Sequence, residues 1–142
     1  MRMSGACGMA AGLALLAVAA IAGVASGEDW TQWRGPMFDG ASRQTGLPTS
    51  WGSGQNIAWA TPMPGPGNST PVILGKRIFL TSAQADGLDL YALCLDLETG
   101  KKLWQVKLGT GNKKILNYNV ASPSAVADER AVYVLFGTGD LA

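Results

Sequence analysis

Cys94-Leu95-Asp96-Leu97-Glu98-Thr99-Gly100-Lys101-Lys102-Leu103-Trp104 is the run that decides how this 142-residue chain folds. Asp96 and Thr99 are residue types whose side chains bond nearby backbone amides in a tight turn, and Gly100 supplies the positive φ that closing a hairpin requires. The residues entering the turn, Leu90 to Leu95, and those leaving it, Leu103 to Leu108, are apolar on both faces or nearly so. That composition predicts strands of a sheet stacked between other sheets. Trp104 is an aromatic placed at a fixed distance beyond the turn.

Working outward, the chain repeats itself. Ser69-Thr70-Pro71-Val72-Ile73-Leu74-Gly75-Lys76-Arg77-Ile78-Phe79 returns as Ala121-Ser122-Pro123-Ser124-Ala125-Val126-Ala127-Asp128-Glu129-Arg130-Ala131-Val132-Tyr133, the second copy having a turn two residues longer. Each copy reads as a small-residue and proline entry, a strand, a polar turn and a return strand. Pro71 and Pro123 lie 52 positions apart, a period that fits four strands and their turns. The expected strands run near 70 to 74, 77 to 82, 89 to 96 and 102 to 108, then near 122 to 127 and 131 to 136. Ile57 to Ala60 reads as one further short strand. The fold class is therefore all-β, a β-propeller of four-stranded antiparallel blades. Blade one spans about 69–108 and blade two starts near 121 and is incomplete, so residues 57–142 hold about one and a half blades.

The Asp-x-x-Thr-Gly-x-x-x-Trp spacing resembles the blade motif of the pyrroloquinoline-quinone (PQQ)-like propeller repeat family, Ala-x-Asp-x-x-Thr-Gly-x-x-x-Trp, with Cys94 in the place of the first Ala. The resemblance covers one full motif and weaker echoes on either side. It implies that Asp96, Thr99, Gly100 and Trp104 are structural, with the Trp lying flat between adjacent blades and docking them. By the same resemblance, the Ile57 to Ala60 strand with Trp59 completes a last blade. Propellers are built of about 4 to 8 blades, so these residues are expected to be the N-terminal part of a longer exported bacterial member.

Residues 1–27 look like an export signal: Arg2 supplies positive charge, residues 9 to 25 are an uncharged apolar run, and Ala25-Ser26-Gly27 offers small residues for cleavage. An uncleaved membrane anchor is the other reading of this stretch. Export places the chain in the periplasm or another extracytoplasmic space, with membrane contact only through the signal segment if it is retained. Loss of Arg2 leaves ten basic against ten acidic residues, a balance that does not steer the chain toward nucleic acid. Cys94 is then the lone cysteine, in the middle of an apolar strand, and reads as a buried structural residue. The chain has no histidine, which removes serine-histidine hydrolases and histidine metal sites within these residues.

Residues 28–56 read as an irregular lead-in, and Asp29-Trp30-Thr31-Gln32-Trp33-Arg34-Gly35-Pro36 looks like the opening segment of exported members of the same family. Its paired tryptophans beside Arg34 suit a clasp on the propeller face or a ligand-stacking site, and the clasp is preferred. Gly109 to Lys114 lacks Walker spacing and reads as the connection between blades. Asn117, Tyr118 and Asn119 precede blade two and are the candidates for channel-facing contact with a ligand or partner, on position alone. The functional expectation is a non-catalytic scaffold that binds other proteins or a small ligand at the propeller face, with no catalytic, cofactor-binding or metal-ligating residue in this part. The alternative is the N-terminal part of a PQQ- and calcium-dependent quinoprotein alcohol or sugar dehydrogenase.

Overall fold

The computed structural model describes residues 27–85, 89–111 and 120–142. Among these residues there is no helix, hence none long and apolar enough to cross a membrane. Residues 1–27, read as an export signal, fall almost wholly outside the described residues.

Strands β1 (Val72–Leu74), β2 (Arg77–Ala83), β3 (Asp89–Asp96) and β4 (Lys102–Thr110) form one antiparallel sheet in chain order. Strands β5 (Val126–Ala127) and β6 (Val132–Tyr133) form a second, two-stranded sheet. The all-β expectation is thus met; the four strands of the first sheet fall near the positions read from the repeat, whereas those expected near 122 to 127 and 131 to 136 shorten to Val126–Ala127 and Val132–Tyr133. Ile57 to Ala60, also read as a strand, pairs with no strand among the described residues.

Local chemistry explains each reversal. Leu74 pairs with Arg77 across a two-residue loop whose first member, Gly75, has φ +57°. A positive φ at that position suits the twist of two-residue hairpins. The matching reversal in the second sheet is longer: Asp128 turns the chain by accepting at Oδ1 from the amides of Arg130 and Ala131, both 2.8 Å. The β3–β4 turn is built by Asp96, which accepts at Oδ1 from the Thr99 amide at 2.8 Å and the Thr99 hydroxyl at 2.6 Å. Gly100 then donates to the Asp96 carbonyl at 2.9 Å with φ +68°.

Alternation along the strands sends Val72, Phe79, Leu90, Ala92 and Cys94 to one face of the first sheet, where they meet Ala127 of the second and Ala125, Val134 and Phe136, which flank its strands. The core therefore lies between the two sheets. Ile78, Leu93 and Leu95 are buried as well, so the middle strands are covered on both faces, as a nearly continuous apolar composition requires. β4 departs from that expectation: Leu103, Trp104 and Val106 are exposed. A strand paired on one side only has half the neighbours of a central one.

The lead-in sews the sheets together. Trp30 exchanges two 2.8 Å hydrogen bonds with Ile73 on β1, and the next carbonyl, that of Thr31, accepts from Ala127 on β5 at 2.9 Å. Asp29 adds a side-chain bond to the Gly75 amide at 2.7 Å. Further on, Pro66 accepts from Ala83, and Gly67 lies so near β2 that a Cβ there would sit 2.6 Å from the Thr81 carbonyl. Only glycine permits that approach.

Candidate functional site

Three places gather the side chains singled out by the sequence: the β3–β4 turn, the cleft floored by Trp104, and the lead-in around Trp33. The turn is a structural seat. Trp59 lies over Gly100 so closely that a Cβ on that residue would fall inside the indole, and its Nε1 donates to the Leu97 carbonyl at 3.1 Å. Thr61 adds a hydroxyl bond to the Gly100 carbonyl at 2.5 Å. Asp96, Thr99 and Gly100 are thereby brought together with an aromatic residue some forty positions earlier, and Trp59 and Thr61 hold their segment on the turn.

Electrostatics agree with that role. The Thr99 hydroxyl, followed by the Thr99 amide, holds the Asp96 carboxyl below the usual carboxylate range. Asp128 is held down in the same way by the amides of Ala131 and Arg130. Both carboxylates are occupied as turn acceptors. Asp89 is lowered by its bond to Lys107, which lies 2.8 Å away. Burial pushes the Cys94 thiol up, which keeps it protonated and unreactive. Among the described residues no group of three or more His, Cys, Asp or Glu side chains is placed to hold a metal ion.

Trp104 is not brought to the turn. It stands on β4 on the side of the sheet that faces β6, with its ring centroid 6.0 Å from that of Phe79. Two openings meet at its indole. One, of about 530 Å³, runs between the β1–β2 and β5–β6 turns, with Phe79 and Trp104 at its base and Arg77, Glu129 and Arg130 among its lining residues. The other, of about 190 Å³, is bounded by Trp104, Val106 and Leu108 on one side and Val132, Val134 and Ala142 on the other. Sequence reasoning missed both openings. The exposed apolar residues of β4 are visible in the sequence, but their exposure depends on how far the second sheet reaches.

The paired tryptophans of the lead-in divide. Trp30 is half-buried over Gly35 and bridged to Ile73 on β1. Trp33 is 62% exposed, with the Arg34 guanidinium 5.6 Å from its ring centre. Arg34 and Phe38 both hold positive φ, at +66° and +59°, in the loop that presents Trp33. Asn117, Tyr118 and Asn119, and the Asn112-Lys113-Lys114 end of the proposed connection, lie outside the described residues. The start of that connection, Gly109 and Thr110, belongs to β4, which runs further than read from the sequence. Comparison with protein-family models, curated proteins and solved structures returned no match.

Proposed function

We propose that the chain is an exported PQQ-like repeat module, its sheets successive propeller blades, and that it works as a non-catalytic scaffold for proteins or small ligands. The observation that carries the reading is the seating of Trp59 on Gly100, with its Nε1 bonded to the Leu97 carbonyl. A tryptophan from an earlier segment docks on the glycine turn of a four-stranded sheet, as the resemblance implies for adjacent blades. The motif residues are spent on that contact: Asp96 and Thr99 shape the turn, Gly100 clears room for the indole, and none is left as an acid, base or nucleophile. Trp104, one motif further on, supplies the corresponding indole for the next blade.

The test is direct. The full chain, supplied with calcium and pyrroloquinoline quinone, is expected neither to retain the quinone in equilibrium dialysis nor to reduce a dye with alcohol or glucose. Quinone-dependent dye reduction would overturn the scaffold reading in favour of a dehydrogenase. Export is tested by recovering the protein from the periplasm and sequencing its amino terminus, which is expected near Glu28.

A further inference from the structure

The second sheet is too small to stand by itself. β5 and β6 are two residues each, and an isolated pair of strands is marginal even when much longer. Hydrogen bonds hold it beside the first sheet at its entry and again at β5. At the entry, the amides of Asn68 and Ser69 both donate to the Ala121 carbonyl, at 3.1 and 3.2 Å, and the Thr70 amide donates to Ser124 Oγ at 2.9 Å. At β5 the Ala127 amide donates to the Thr31 carbonyl of the lead-in at 2.9 Å.

The lead-in makes this second contact through three consecutive residues. Asp29 Oδ1 accepts from the Gly75 amide at 2.7 Å, Trp30 exchanges two 2.8 Å bonds with Ile73, and Thr31 turns its carbonyl to Ala127. Backbone groups point to alternate sides along an extended segment, so one residue serves β1 and the next serves β5. The Trp30 indole is seated over the buried Gly35, where a Cβ would fall 2.7 Å from the ring. Because Trp30 and Thr31 are adjacent, whatever draws Trp30 off Ile73 also draws Thr31 off Ala127. The core between the sheets contains none of the three, yet it holds Cys94 at 0% exposure. β2 and β3, by contrast, pair with each other at seven positions and need no lead-in to do so.

We propose that Asp29 to Thr31 is a latch. Closed, it is paired to both sheets at once. Released, it lets the second sheet lift as one unit about its entry at residues 120–124, while the first sheet stays folded and Cys94 becomes reachable. Access to the inter-sheet core is thus controlled from the lead-in, by residues outside that core. This goes beyond the scaffold reading and does not rely on it.

Native-state hydrogen exchange in sub-denaturing urea, on the full 142-residue chain, tests the latch. In the unchanged chain the amides of Ile73, Ala127 and Val134 are expected to exchange through one common opening, of lower free energy than that of amides paired between β2 and β3. Trp30→Pro removes the amide that donates to Ile73. It is expected to speed exchange at Ala127 and Val134 on the order of tenfold, the net effect of losing a hydrogen bond or two, with the β2–β3 amides unchanged. Alkylation of Cys94 by iodoacetamide, read on its own peptide, should accelerate by the same factor. Trp30→Phe keeps the backbone bonds and a ring over Gly35, and should stay close to the unchanged chain. Separate openings for Ile73 and Ala127 in the unchanged chain overturn the proposal, and that measurement decides alone if Trp30→Pro does not fold. Equal loss of protection in both sheets of a folded Trp30→Pro, or unaltered Cys94 alkylation, overturns it as well. None of these results bears on dye reduction, so the scaffold reading stands or falls separately.

Discussion

The first and second sheets open on the same pattern, a proline entry, a strand, a polar turn and a return strand, yet they end as different objects. In the first sheet the return strand β2 is seven residues long and pairs along its whole length with β3. In the second, β6 is two residues long, and residues 134–136 beyond it are bonded to residues 140–142. The local code is alike, so the difference comes from neighbours. β2 has β3 to pair with, and β3 brings Leu90, Ala92 and Cys94 to the shared core. The same contrast separates two tryptophans: Trp59 has a glycine turn beneath it and a carbonyl for its N–H, while Trp104 lines a cleft.

The largest effect that breaks this comparison is expected at Gly100. A side chain there meets the Trp59 ring and must also adopt φ +68°, so Gly100→Ala should cost about 3 kcal/mol, overpacking added to left-handed strain. Urea denaturation of the full chain measures it. Gly75→Ala isolates the backbone part, since nothing lies within 4 Å of a Cβ at that position. It should cost only about 1 kcal/mol, and equal losses at the two glycines would deny that Trp59 is seated on the turn.

Trp59→Phe and Trp104→Phe sharpen the tryptophan comparison. The first removes the bond to the Leu97 carbonyl and should cost about 1 kcal/mol. The second removes an indole N–H without a protein partner among the described residues, and should change the denaturation midpoint by less. Reversal of that order would mean that Trp104, not Trp59, is the tightly held residue.

The smallest effect is that of pH on the two turns. Asp96 and Asp128 have carboxyls lowered from the ordinary value of 3.8 by hydrogen bonds that the unfolded chain lacks. Their contribution is present above that value and is lost as pH falls through the lower folded-state values. Melting temperature should therefore drop on acidification below about pH 4, and less steeply in Asp96→Asn, whose amide oxygen still accepts from Thr99. An identical acid profile in the variant would show that Asp96 is not a source of the pH dependence.

Much of this was legible because it is local. The Asp96 to Gly100 turn is dictated by side chains that bond amides two or three residues away and by one residue free to adopt positive φ. The strand positions followed from apolar runs bounded by such turns, and burial of Cys94 followed from its place inside one. What was not legible depends on distance in space. Ile57 to Ala60 has strand composition, yet its role is set by Trp59 reaching the Gly100 turn. Trp30 and Trp33 stand side by side in one motif, and only the pairing of Trp30 with Ile73 ties one to the sheet while the other faces water. Likewise Trp104 reads as a docking residue, but its exposure is set by how far the second sheet reaches over β4.

By itself, then, the sequence determined an all-β chain, the places where it reverses and the residues that reverse it, because short-range hydrogen bonding and backbone sterics act within a few residues. Only the tertiary structure decided that the core lies between two sheets, that Trp59 occupies the motif turn, and that Trp30 pairs with β1 while Trp33 faces water. Those outcomes are set by which surfaces meet, and burial and pairing are properties of the partner as much as of the residue.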